Sequence, residues 1–146
     1  MGRLPHGSVV QGLLDELPAT TLDGGSAGML PRGCYTSPEF FEFEREAVFA
    51  RSWICVGRVE QIAHSGDYLG ISVAREPLLV VRTEEGSVEA MSAVCQHRGQ
   101  VLAFESGSVR GAFRCPLHFW TYDLHGRLLA ASHMAAPRKS PACARR

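Results

Sequence analysis

Two short stretches of this sequence carry side chains able to hold a metal. One is "CQHRGQ", residues 95–100, with Cys95 and His97 spaced C-x-H. The other is "CPLHFW", residues 115–120, with Cys115 and His118 spaced C-x-x-H. Thiolate and imidazole together suit zinc, and a closed Cys₂His₂ zinc site is structural. Familiar zinc patterns group Cys with Cys and His with His, whereas here each stretch carries one of each. That mixed order fits two metal atoms side by side, the two cysteines on one iron and the two histidines on the other. Such ligation belongs to a two-iron, two-sulfide centre in which imidazoles replace two thiolates. The full pattern, C-x-H-x₁₇-C-x-x-H, demands four residue types and three gaps at once, which makes it specific.

Both stretches fall where strands should meet turns. Cys95 ends the run "MSAV", and Gly99 permits a tight turn after His97. Cys115 ends "GAFR", and Pro116 stiffens the link to His118. From residue 53 onward the chain reads as short apolar or alternating runs: "SWICVGRV", "DYLGISVA", "PLLVVRT", "SVEAMSAV", "GAFRC", "FWTYDL" and "RLLAAS". Turn-rich "HSGD", "EEGS", "ESGS" and "LHGR" punctuate them. Evenly spaced short strands without βαβ alternation predict a mostly β, antiparallel sandwich or small barrel. It would bring the two stretches side by side as loops.

A helical segment precedes the strands. Ser37 can cap a helix, Pro38 suits its first position and Glu39 its positive end. Phe40, Phe43, Ala47 and Ala50 recur at spacings of three and four, which predicts a buried stripe. Further upstream, "GSVVQGLLDELPAT" predicts a short helix ended by Pro18, followed by a flexible "LDGGSAG" connector. The last residues, "AAPRKSPACARR", lack periodicity and predict a disordered tail. The organisation expected is a flexible segment over 1–28, a domain over 29–136 and a tail over 137–146.

Composition bounds the function. The chain has 146 residues, 45% of them apolar, enough for one domain with a core. Its 15 basic residues balance 15 acidic ones, and no basic stripe interleaves with aromatics, so no nucleic-acid partner is expected. No run approaches the ~18 apolar residues of a membrane span, and the N-terminus lacks a secretory pattern. Five cysteines without regular spacing favour reduced thiols and metal ligation, hence a cytoplasmic setting. Cys34, Cys55 and Cys143 are expected as free thiols, with Cys55 buried in a strand. Trp53 and Trp120 are expected in the core, Trp120 shielding the metal centre. His6, His64, His125 and His133 are expected as scattered loop or surface residues, and Asp123 as a turn carboxylate.

"CQHRG" followed by "CPLHFWTYDLHGRL" resembles the N-terminal Rieske [2Fe–2S] domain of ring-hydroxylating and related non-haem iron oxygenase alpha subunits. The resemblance extends upstream through "LPRGCYTSPEFFEFEREAVFARSWICVGRVEQI", "SGDYLGISVAREPLLVVR" and "GSVEAMSAVC", covering about residues 29–134. Rieske proteins of respiratory and photosynthetic complexes carry two further, disulfide-joined cysteines, where Gln100 and Leu117 stand here. The resemblance therefore implies the oxygenase type: Cys95 and Cys115 on the inner iron, His97 and His118 on the outer one. It also implies an electron donor, a ferredoxin or flavin reductase, and an acceptor, a mononuclear non-haem iron in a separate oxygenase domain.

Three departures from that family stand out. No second group of histidines and a carboxylate follows the "GRL" after the second loop, so this chain alone is expected to hydroxylate nothing. Phe119 stands where the family has Gly after the second histidine, and a positive φ there would cost on the order of 1 kcal/mol. Leu117 stands where the family has Tyr, so a hydroxyl bond toward the cluster or its cysteine is expected to be lost and the reduction potential lowered. A stand-alone Rieske-type ferredoxin, a structural zinc module and a truncated remnant are the competing assignments. The helical segment over 29–53 weighs against the ferredoxin, which does not need it.

Overall fold

The computed structural model describes residues 7–17, 25, 28–132 and 134. The tail expected over 137–146, Cys143, His6, His133 and most of the connector lie outside the described residues. The chain divides into two compact units, 1–54 and 55–146.

The first unit is helical. Helix α1 (Ser8–Glu16) forms where the short helix is expected and buries Val10. Helices α2 (Arg32–Thr36) and α3 (Pro38–Glu44) follow, and α3 packs against both α1 and α2. The start of α3 matches its sequence signals: the Phe40 N–H donates to Ser37 Oγ at 3.2 Å, with Pro38 in the first turn. The Glu39 carboxyl is held below its usual range by its own backbone N–H and by the Ser37 hydroxyl. Beyond Glu44 the helix widens into a π-turn, Arg45–Phe49, where the Ala50 N–H reaches back five residues to the Arg45 carbonyl at 2.9 Å. That widening rotates the later residues off the stripe. Phe40 is buried and Phe43 and Ala47 are half-buried, but Ala50 is exposed. The stripe is a core face only over its first turns.

The second unit is built from two antiparallel sheets. Strand β1 (Asp67–Val73) pairs with β2 (Glu76–Arg82), placing Leu69 opposite Val80, and β2 pairs with β3 (Val88–Ser92). Strand β4 is the two residues Gly107–Ser108, paired with Asp67 and Tyr68, which gives the order β3-β2-β1-β4. The second sheet orders β5 (Ala112–Arg114), β6 (Thr121–Asp123) and β7 (Leu128–Ala130). Leu79, Val81 and Met91 of the first sheet pack with Phe113 of the second, Ala93 and Leu124 completing the core. Tyr68 meets Phe113 edge-to-face at 5.1 Å. The mostly β, antiparallel two-sheet expectation agrees with this architecture.

Residues 53–58 form no strand, although "SWICVGRV" predicts one; a 3₁₀ turn follows at Val59–Ile62. None of the sheet's strands pairs with this segment, and β-propensity without a pairing partner does not make a strand. Trp53 is correspondingly fully exposed and Cys55 exposed, against the expectation that both are buried. Only Ile62 at its far end joins a core, with Leu69 and Val80.

Candidate metal centre

The two loops share one backbone design. In the first, the Cys95 N–H donates to the Gln100 carbonyl at 2.7 Å and the Gly99 N–H to the Cys95 carbonyl at 3.0 Å. In the second, the Cys115 N–H donates to the Trp120 carbonyl at 2.8 Å and the Phe119 N–H to the Cys115 carbonyl at 3.0 Å. Each is a six-residue loop closed at its ends, with a left-handed residue fourth after the cysteine: Gly99 at φ 74° and Phe119 at φ 62°. The first loop is clamped by the Val94–Val101 bridge, and the second caps the β5–β6 hairpin, where Arg114 faces Thr121. The chain leaving the first loop crosses β1 closely. A Cβ on Gly70 would come within 2.9 Å of the Phe104 carbonyl carbon and oxygen, so only glycine admits that crossing.

Cys95 and Cys115 are both buried, in a small core with Trp120 and Tyr122. The Tyr122 hydroxyl accepts from the Gln96 N–H at 3.0 Å and lies 3.3 Å from Cys95 Sγ. With its acceptor role taken by the backbone, it is oriented to donate to the sulfur. Burial, and then the bond to Cys95, push the Tyr122 pKa far above its usual value, so it stays a donor. Burial also pushes the Cys115 thiol up, but the backbone N–H groups of Leu117 and His118 and a bond with Cys95 outweigh it, and its pKa is lowered. A lowered pKa favours the thiolate, the form of the side chain that binds a metal.

The imidazoles of His97 and His118 meet edge-to-face at 4.6 Å, and the His97 ring stacks on the Trp120 indole at 4.7 Å and 9°. Loss of water, then the nearby His118 and Arg98, lower the His97 pKa and favour the neutral ring. Nδ1 of each histidine is buried without a hydrogen-bond partner. An orphaned buried nitrogen costs about 1–3 kcal/mol, and two such atoms on adjacent rings are what metal ligation would satisfy. Among the described residues, no three His, Cys, Asp or Glu side chains form a group able to hold a single metal ion.

The other sequence candidates lie elsewhere. Asp123 is a turn residue: its Oδ1 accepts from the His125 N–H at 2.9 Å and the Arg127 N–H at 2.8 Å. His125 is not a free surface histidine; its Nδ1 lies 2.9 Å from Glu89 and its Nε2 3.5 Å from Glu85. His64 is exposed beside Asp67. Leu117 is 50% exposed, so the hydroxyl expected to be lost at that position is not what serves Cys95. Tyr122 does so, and sequence reasoning passed it over. Its signal is the two-residue step from Trp120, which puts both aromatics on one side of the chain as it enters β6.

The family model for the Rieske [2Fe-2S] domain matches residues 52–141. The carnitine monooxygenase oxygenase subunit of Acinetobacter baumannii is 39% identical over 105 residues, 72% of this chain and 28% of that protein. The anthranilate 1,2-dioxygenase large subunit of Acinetobacter baylyi is 34% identical over 120 residues, 82% of this chain and 24% of that protein. Among solved structures, a quaternary ammonium Rieske monooxygenase in complex with gamma-butyrobetaine superposes with TM-score 0.70 at 32% identity, over 95% of this chain and 37% of that one. Naphthalene 1,2-dioxygenase from Rhodococcus sp. does so with TM-score 0.70 at 27% identity, over 86% of this chain and 27% of that one. The chain thus spans about a quarter of the length of the curated relatives it matches. Its paired loops, buried thiols and matched family model place it together: the chain belongs to the Rieske [2Fe–2S] domain family.

Proposed function

We propose that this chain is the electron-transfer domain of a Rieske-type oxygenase, with Cys95 and Cys115 holding the inner iron and His97 and His118 the outer one. The observation that carries this is the pair of orphaned, buried Nδ1 atoms facing a common loop pair that also buries two thiols. When bound, the cluster supplies reversible one-electron chemistry. The protein's own residues do the rest. Trp120 fixes the plane of the His97 ring and covers it from water. Tyr122 and the Leu117 and His118 N–H groups stabilise negative charge on the sulfurs. The half-buried histidine edges are the natural path for the electron.

The donor is a ferredoxin or flavin reductase, and the acceptor a mononuclear non-haem iron oxygenase domain. No helix among the described residues is long and apolar enough to cross a membrane, and we place the protein in the cytoplasm. Relatives named for carnitine and for anthranilate match it comparably well, so substrate choice resides outside the matched segment. The test is electron paramagnetic resonance of the dithionite-reduced protein with iron and acid-labile sulfide assays. Equal iron and sulfide and nitrogen couplings from two imidazoles are expected; zinc without sulfide overturns the assignment.

A further inference from the structure

The second loop asks a phenylalanine to do what glycine does in the first. Gly99 and Phe119 hold the same place in the two loops, each donates its N–H to the loop cysteine's carbonyl at 3.0 Å, and they share a left-handed φ. Glycine adopts that conformation freely, whereas a residue with a Cβ does not. Phe119 is also 48% exposed, so burial does not hold it there. Two neighbours do. The Arg114 guanidinium carbon sits 4.3 Å from the centre of the Phe119 ring, and Thr121 Oγ1 donates to the Phe119 carbonyl at 3.1 Å. Arg114 and Thr121 face each other at the loop end of the β5–β6 hairpin, so both shoulders of the loop fasten the one strained residue.

We propose that Arg114 is a positioning residue for the second ligand loop: its guanidinium pins the Phe119 ring and so keeps the loop in the left-handed turn that turns His118 Nδ1 inward. The inference rests on the ligand assignment above. A cation–π contact at an exposed site biases an equilibrium about two- to fivefold, and the loop's closed state should lose that bias when Arg114 is removed.

The experiment follows loss of the visible circular-dichroism bands of the cluster-loaded chain in excess EDTA. Arg114→Ala should speed the loss about two- to fivefold, and Arg114→Lys, which keeps a cation, should restore much of it. Phe119→Ala, which keeps the strain and loses the ring, should also speed it. Phe119→Gly, which loses both, should stay near the parent. In the Phe119→Gly background, Arg114→Ala should change nothing, because there is no ring to hold. Equal acceleration by Arg114→Ala in both backgrounds, or none in either, overturns the inference and leaves the ligand assignment standing. A parent chain that takes up no iron and sulfide overturns both.

Discussion

At the scale of single residues, the reduction potential is set by what faces each sulfur and imidazole. The Tyr122 hydroxyl, held by the Gln96 N–H and aimed at Cys95 Sγ, gains more from the electron-rich reduced state than from the oxidised one. Tyr122→Phe should therefore lower the midpoint potential by tens of millivolts, the scale of a fraction of one charge-assisted bond. Leu117→Tyr is the matching control. Its side chain is half exposed, so the potential should hold within about 10 mV, a small fraction of the 59 mV that equals a tenfold change. A redox titration that moves with Leu117→Tyr and not with Tyr122→Phe would reverse these assignments. The four proposed ligands stand out in the sequence because their types and gaps are rare in combination. Tyr122 does not, because one more tyrosine in an apolar strand looks like core until its hydroxyl is seen to meet a sulfur.

At the scale of elements, local chemistry decides where each piece starts. The Ser37 cap of α3 should cost about 1 kcal/mol when replaced by alanine, measured as loss of helicity in the 1–54 unit during urea denaturation. The turn into β1 rests on Asp67, whose carboxylate accepts from the His64 N–H at 2.8 Å. That bond, more than any other influence, lowers its pKa. A lowered folded-state pKa stabilises the fold above the unfolded value of about 3.9 and is lost as pH falls through the folded value. Asp67→Asn should lower stability at neutral pH towards its acid-pH level and so flatten the acid limb of the stability curve below about pH 4. Such signals explain why α1, the start of α3 and six of the seven strands could be placed from sequence. The failures are equally physical. Strand β4 is two residues, Gly107 and Ser108, with no pattern to detect. Residues 53–58 have strand composition but pair with neither sheet. The β1–β2 turn puts Ala74 at φ 50° and Arg75 at φ 70°, so the usual glycine or asparagine signal is missing.

At the scale of the whole 55–146 unit, the two ligand loops come from different sheets. The first leaves β3 of the four-stranded sheet, and the second joins β5 to β6 of the three-stranded one. Apolar packing already links the sheets through Leu79, Val81, Met91 and Phe113, and His125 adds a polar tie between the β6–β7 turn and Glu89 of β3. A metal centre held by Cys95, His97, Cys115 and His118 would be a third link. It closes a chain segment of about the length for which a covalent cross-link yields roughly 3 kcal/mol, and it satisfies the two orphaned imidazole nitrogens. Removing iron should therefore lower the unfolding midpoint in urea, by an amount of that order when converted through the slope. The loss should also be local. Amide exchange should quicken at Gln96, Gly99, His118 and Phe119, whose loops lose their ligand. The β1–β2 ladder should keep its protection, because Leu69 and Val80 are buried with Ile62 by packing that involves neither loop. Uniform deprotection of the unit on iron removal would mean that the centre nucleates the whole fold. Undisturbed loops would mean that their backbone bonds alone suffice to preform the site.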